Sequence, residues 1–435
     1  MRRLLVLAYF YPPLAGGGVH RVLSFTRHLP AHGWACTVVC AGPHDYWVRD
    51  ESLLGQVPAG TEVIRVTGGS ALASLLRLGR VAGAGGRRST AGFSALRTLS
   101  DLVLLPDSYV GWSRRAAHAL SDRLAAGGVD AVLGSSPPDS VHLAAGRVAR
   151  AHGVPWVADF RDPWIGLHFR RPPTAWHAAR QRALESGVLA GADLVLAASR
   201  THHDELAARS VDRPRRLRFL PNGFEPASAP APAPAPAPAP GTPDVFRVVF
   251  TGTLSLMEDA GTLLEAVHDV LAVEPALRDR LRVTLAGPHD DAWPRRAAAL
   301  GLAGVVEWPG PLAHAATREL QARADVLLLW KPRGEGYRTM VPGKTYEYLD
   351  TGRPVVALLP EGDEAADLVL RAGGTRLAPG DRGALASELS TRLHRHAAEG
   401  RTPAARPAWL DERRRDVLAG TLARELDALV TERGR

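Results

Sequence analysis

The sequence predicts an α/β protein built from two Rossmann-like domains, and three observations predict it. Apolar runs of strand length at 4–10, 36–42, 62–67, 130–135, 156–160 and 193–198 are mostly separated by helix-length segments. The same rhythm restarts at 246–252 and continues through 281–287, 305–308, 324–330 and 354–359. An alternating Ala-Pro tract at 229–240 separates the two series. Alternation of this kind implies a parallel sheet covered on both faces. At 435 residues and 46% hydrophobic composition, the chain exceeds what one core organises and has material for two.

The opening M-R-R-L-L-V-L-A-Y-F-Y has the look of a signal peptide, but 4–10 is strand length and Tyr11-Pro12-Pro13 ends it. An amphipathic helix follows over 18–33, which makes this a first Rossmann strand and helix. No apolar run reaches the length of a membrane span, so the expectation is a cytoplasmic protein, soluble or peripheral at the inner face of a membrane. Cys36 and Cys40 lie four positions apart in a strand, about 13 Å when extended and beyond the roughly 7 Å reach of a disulfide. They read as buried thiols of a reducing compartment.

Residues 70–100 are rich in Gly, Ala and Ser and carry Arg77, Arg80, Arg87, Arg88 and Arg97 with no acid. That suits a solvated basic loop, or a helix lying on an anionic membrane surface. The Ala-Pro tract can form neither helix nor sheet, because proline lacks the donor and fixes φ, so it is read as an extended interdomain connector. The stretch from 407 to 433 reads as a long amphipathic helix, with Trp409, Leu410, Val417, Leu418, Leu422, Leu426 and Leu429 on or near one stripe. The expected organisation is an N-terminal acceptor domain at 1–225, a linker at 226–243, a nucleotide-sugar domain at 244–405, and a helix at 406–435 packing back on the first domain.

The net charge of +8 would suit nucleic acid, a membrane surface or phosphorylated ligands. Aromatics are only 6%, and no basic run carries them interleaved, so a nucleic-acid platform has no support. More telling is how the cations are chosen: of 53 Lys and Arg residues only Lys331 and Lys344 are lysines. Both fall in one short segment. Gly343-Lys344-Thr345 has the form of a P-loop ending, but Arg338 stands where the first glycine belongs and Pro342 breaks the cradle. The segment reads instead as a helix start, with Pro342 and Gly343 opening it, Lys344 in its first turn, and Glu347 and Tyr348 one turn on. Free N–H groups and the positive dipole end favour phosphate; a lysine adds charge, and a carboxylate one turn on suits ribose hydroxyls.

P-G-K-T-Y-E-Y-L-D-T-G-R-P-V-V-A at 342–357 resembles the donor-site segment of family 4 glycosyltransferases, enzymes of the GT-B architecture in which the two domains face a cleft. Further family-like pieces occur in the expected order: Y-P-P-L-A-G-G-G-V-H-R at 11–21, A-D-F-R-D-P-W at 158–164, L-P-N-G-F at 220–224, F-T-G-T-L at 250–254 and L-A-G-P at 285–288. The resemblance implies retaining, metal-independent transfer of a sugar from a nucleotide-diphosphate donor, with no resident cofactor, to a glycan, lipid-linked or small-molecule acceptor.

Carried across residue by residue, it implies that Gly252 and Thr253 line the diphosphate and that Gly287 and Gly310, at strand ends, let backbone approach the nucleotide. Lys344 and Gly343 hold the diphosphate, and Glu347 the ribose. The family's first glutamate falls on Thr339, a departure that leaves Glu335, or Thr339 with Arg338, to hold the sugar. The cations expected after 250–254 are missing from Ser255-Leu256-Met257-Glu258-Asp259, so diphosphate charge rests on Lys344, helped by Arg338 or Lys331. Gly16, Gly17 and Gly18 form a loop approaching the donor diphosphate or the acceptor, with Arg21 one turn beyond. Asp162 is the candidate for orienting the acceptor hydroxyl or taking its proton, beside Arg161. Ser136 and Asp139 complete the acceptor candidates; with no G-x-S-x-G elbow, a hydrolase triad around His142 is not indicated.

Metal ligation is not predicted. His202-His203-Asp204 and His394-x-His396 read as solvated helix surface, and Asp290-Asp291 as a helix cap. Two other readings stay open at this level: a nucleotide-sugar epimerase of the same fold, and a non-catalytic nucleotide-sugar or glycan binder.

Overall fold

The computed structural model describes residues 1–43, 49–68, 100, 102–167, 172–210, 216–226, 245–254 and 258–433. The basic stretch carrying Arg77 to Arg97, the Ala-Pro tract and Ser255-Leu256-Met257 lie outside them. The chain forms two compact units, Met1–Gly223 with Arg415–Arg435, and Phe224–Arg414.

The first unit is built on a seven-stranded parallel sheet: β1 (Arg2–Ala8), β2 (Trp34–Ala41), β3 (Glu62–Val66), β4 (Ala131–Ser136), β5 (Trp156–Phe160), β6 (Leu194–Ala197) and β7 (Leu217–Phe219), in the order β3-β2-β1-β4-β5-β6-β7. Helices α1 (Val19–His28), α2 (Val110–Ala125), α3 (Ser140–Ala151), α4 (Ala175–Gly191) and α5 (Arg200–Arg209) cover it. Leu4, Leu5, Val6 and Leu7 of β1 are all fully buried, which is why the strand reads as a continuous apolar run. The helix expected over 18–33 is shorter: Pro30 lacks an amide donor, the chain tightens into a 3₁₀ turn at Leu29–His32, and Gly33 stops it at φ +83°. Cys36 and Cys40 are free and buried, and burial pushes both thiols up to about 12.

The second unit has six parallel strands: β8 (Phe246–Thr251), β9 (Leu281–Ala286), β10 (Val306–Gly310), β11 (Val326–Leu329), β12 (Val355–Leu358) and β13 (Thr375–Leu377), in the order β10-β9-β8-β11-β12-β13. Its helices are α6 (Asp259–Val273), α7 (Ala292–Ala299), α8 (His314–Arg323), α9 (Gly343–Asp350), α10 (Glu364–Arg371) and α11 (Arg382–Glu399). β7 and β13, each three residues long, escaped the sequence reading because no periodicity develops over so short a run. In each unit the first strand lies between strands reached by opposite crossovers, and such switch points open ligand crevices at the carboxyl ends of open α/β sheets. The final helix begins after a 3₁₀ turn at Ala408–Arg413; this α12 (Arg415–Arg433) is part of the first unit. Its Leu418, Leu422, Leu426 and Leu429 join that core, and Asp427 accepts from Trp34 Nε1 at 3.0 Å and from Arg2 Nη1 at 2.5 Å.

Two histidines of the first unit give it an acid sensitivity. His142 is fully buried, stacked on Phe160 with ring centroids 4.3 Å apart, and neither ring nitrogen has a hydrogen-bond partner among the described residues. His202 is likewise buried, with Nε2 unpartnered. Burial pulls each from the ordinary value of 6.5 down to about 3. The unfolded chain therefore binds more protons than the native one between those values, and stability is lost as pH falls below 6.5. Each histidine is expected to cost up to about 2 kcal/mol at pH 5. Urea midpoints should fall between pH 7 and pH 5, and His142→Phe, which keeps a ring on Phe160, should flatten that dependence; an unchanged slope would count against the assignment.

Candidate active site

At the carboxyl edge of the second sheet, three glycines end three neighbouring strands. Gly252 N donates to Ala286 O at 2.8 Å, and Gly287 N donates to Gly310 O at 2.9 Å, so the turns after β8, β9 and β10 are laced together through backbone alone. Gly252 and Gly287 have φ of +137° and +141°, and a Cβ on Gly287 would lie 2.1 Å from the Gly252 carbonyl oxygen. No other residue type fits there without displacing the loop. Thr253 follows, exposed.

Lys344 meets this loop from the first turn of α9. Its Nζ donates to Thr251 O at 3.2 Å, lies 3.6 Å from the centroid of the Phe250 ring, and would be 3.1 Å from a Cβ on Gly252. Phe250 in turn stacks on Trp330 at 4.1 Å between centroids and 7° between planes. The ammonium thus rests on an aromatic floor that attracts it but does not solvate it. Lys344 keeps part of its surface open, yet burial of the ammonium pulls it down to about 7, against the charge of Glu347, which pulls it up. α9 starts at Pro342 with no side chain capping it and no acid in its first turn. Helix N–H groups without a side-chain cap, beside a poorly solvated cation, are groups that attract an anion.

The Glu347 carboxylate is 3.4 Å from Gln321 Nε2, which also donates to Thr251 Oγ1 at 3.0 Å. Tyr348 Oη accepts from Thr251 N at 2.8 Å. Arg318 holds α9 from the outside, donating to Glu347 O at 2.7 Å and pairing with Asp350 at 2.6 Å. Sequence reading missed Gln321, Arg318 and the Phe250–Trp330 stack: a fully buried glutamine on α8 breaks no pattern, and its partners lie 26 and 70 positions away.

Of the cations expected to help Lys344, Lys331 is 6% exposed and spends its ammonium on Asp363 at 2.5 Å and on backbone carbonyls. It is not free to meet a diphosphate. Arg338 is exposed, 3.7 Å from Glu335, and Thr339 is half-buried beside it. Gly343 is exposed at the helix start.

In the first unit, Gly16 and Gly17 are exposed, and a Cβ on either would meet nothing within 4 Å. Gly18 is different: Arg161 Nη1 donates to its carbonyl at 2.6 Å, and a Cβ there would meet the guanidinium at 2.9 Å. Arg161 also approaches Asp162 at 3.5 Å, joining the glycine loop to the R-D-P-W turn at 161–164, where the Asp162 side chain is 41% exposed. The other acceptor candidates face inward. Ser136 and Asp139 are buried, and Arg21, 3% exposed, donates from Nε and Nη2 to Asp159 at 3.0 and 2.7 Å and from Nη1 to Leu220 O at 2.8 Å. Arg21 therefore fastens α1 to β5 and to the L-P-N-G-F segment instead of facing a ligand. His202 turns into the core while His203 pairs with Asp204 at 2.7 Å, so the two adjacent rings diverge.

Among the described residues no group of three or more His, Cys, Asp and Glu could hold a metal ion, and no helix is long and apolar enough to cross a membrane.

A family model for a glycosyl transferase 4-like domain matches residues 16–223, and one for glycosyl transferases group 1 matches residues 245–395. No curated protein matches the chain. Among solved structures, Anabaena HepE in complex with UDP and glucose is similar at TM-score 0.61 and 16% identity, over 98% of this chain and 100% of that one. WaaG, a glycosyltransferase involved in lipopolysaccharide biosynthesis, is similar at 0.54 and 15% over 97% and 99%. Sucrose-phosphate synthase from Thermosynechococcus elongatus is similar at 0.51 and 16% over 100% and 98%. With a glycosyl transferase 4-like domain followed by a group 1 domain on two parallel α/β sheets, this chain is a glycosyltransferase of the GT-B architecture.

Proposed function

We propose that the enzyme transfers a sugar, with retention of configuration and without a resident metal, from a nucleoside-diphosphate donor to a glycan, lipid-linked or small-molecule acceptor. The observation that carries this reading is Lys344, an ammonium on an aromatic floor at an uncapped helix start, beside the glycine-laced turns after β8, β9 and β10. Donor diphosphate replaces the missing solvation of that ammonium, and charge building on the leaving diphosphate strengthens the contact as the glycosidic bond breaks. Glu347, steadied by Gln321, is placed one turn along α9 to bind the ribose hydroxyls. In the first unit Asp162 orients the acceptor hydroxyl, and Arg161 holds Asp162 against the glycine loop. Retention and metal independence are supported by the likeness of the donor segment to family 4, and the structure of HepE with UDP makes UDP-sugars the first donors to try.

A matrix of UDP-, GDP-, ADP- and dTDP-sugars against acceptors, with products read by mass spectrometry and their anomeric configuration by NMR, tests the proposal. Transfer with retention, unaffected by EDTA, is expected, and Glu347→Ala should weaken nucleoside-diphosphate binding by about 10- to 100-fold. Isomerisation of donor sugar without acceptor would make the protein an epimerase; binding with no turnover across the matrix would make it a binder.

A further inference from the structure

We propose that Lys331 is a positioning residue of the transfer reaction, setting the shape of the loop that carries Thr339 into the start of α9. The proposal rests on the donor-site reading above. Lys331 comes two residues after β11 ends, directly behind Trp330 of the aromatic floor. Its ammonium converges on three acceptors: Asp363 Oδ2 at 2.5 Å, Met340 O at 2.8 Å and Arg338 O at 3.3 Å. An ammonium has three N–H donors, so all are committed. The two carbonyls are those on either side of Thr339, the residue standing where the family pattern places its sugar-contacting glutamate.

The far end of the tie is equally fixed. Asp363, 4% exposed, also accepts from Ala365 N at 3.0 Å and so caps α10, which follows β12. Through one buried ammonium, the loops after β11 and β12 move as one piece. Together they line a cavity of about 390 Å³, to which Lys331, Arg333, Glu335, Arg338, Leu359 and Asp363 contribute. Arg333 adds a second fastening, pairing at 2.6 Å with Asp259, whose Oδ1 also accepts from Gly380 N at 2.9 Å.

Composition points the same way. In a chain with 53 Lys and Arg residues, lysine is used only at 331 and 344, the two places where a compact ammonium meets backbone carbonyls at close quarters. Arginine spreads its donors over a planar fork and cannot radiate three N–H groups from one nitrogen. A buried ion pair adds little net stability, so what Lys331 contributes is the shape of the loop.

The test compares wild type with Lys331→Met/Asp363→Asn, which keeps a cap acceptor on α10 and leaves no unpaired buried charge, and with Lys331→Arg. UDP affinity is read by calorimetry, kcat and KM with the donor and acceptor the wild type turns over, and loop exposure by the rate of tryptic cleavage after Arg338. Expected are a folded double variant with UDP affinity within about threefold of wild type, kcat lower by about 10- to 100-fold, and faster cleavage after Arg338, with Lys331→Arg showing the same kcat defect. Unchanged kcat and cleavage would overturn the proposal while leaving the donor site intact. Loss of UDP affinity in step with kcat would make Lys331 a diphosphate ligand and overturn it too. A wild type that binds none of UDP, GDP, ADP and dTDP removes the donor-site reading, and this proposal with it.

Discussion

Lys344→Met is expected to cut transfer by about 10²- to 10³-fold, the range found when one preorganised donor to a developing negative charge is removed. The same change should raise the melting temperature of the second unit. Both effects follow from one environment. The ammonium lies over Phe250 and bonds to the Thr251 carbonyl, and burial takes it from the ordinary 10.5 to about 7. Between those values the unfolded chain holds the proton and the native one does not, so this group makes the protein gain stability as pH rises from 7 toward 10.5. At pH 7 the lysine opposes folding; because the residue is partly exposed, the stabilisation on replacing it is held to on the order of 1 kcal/mol. Donor binding has the opposite pH dependence, since the charged form prevails below about 7. Affinity for the nucleoside diphosphate should fall as pH rises above 7, and Lys344→Met should abolish that fall. Full turnover in the variant, or a pH-independent affinity in the wild type, would sink the assignment.

Arg21→Met is expected to destabilise the first unit by about 3–5 kcal/mol, the cost of leaving a buried charge without its partner. Asp159 is fully buried and, among the described residues, keeps only the Ser135 hydroxyl, at 2.8 Å, once the guanidinium is gone. Against a total stability of about 5–15 kcal/mol, this is a large fraction of what holds a domain together. Leu220 O, Pro221 O and Asn222 Oδ1 lose their donor in the same step, at 2.8, 3.1 and 3.3 Å from Nη1. Arg21→Met/Asp159→Asn removes the uncompensated charge and should recover much of the loss, a coupling that a double-mutant cycle measures directly. The urea transition of the second unit should not move. If Arg21→Met instead left stability intact and lowered acceptor turnover, Arg21 would belong to the ligand site after all.

The alternating runs were enough to give both sheets and most strands, because strands buried on both faces are apolar throughout, as Leu4 to Leu7 and Val326 to Leu329 are. The order of motifs gave the enzyme class, and the scarcity of lysine marked 331 and 344 before any geometry was known. The roles of polar residues were harder to read. Arg21, Lys331 and Lys344 are each a cation beside a glycine- or proline-rich turn, and the sequence offered all three to a ligand. The fold separates them by what surrounds each charge. Arg21 faces a buried carboxylate, Lys331 faces a carboxylate and two carbonyls, and Lys344 faces one carbonyl and an aromatic ring. Sequence fixes which residues are charged and which are apolar, and through that periodicity the layers of the fold. Only tertiary structure brings partners together across up to 425 positions, and the partners decide whether a charge is spent on holding the fold or kept for a ligand.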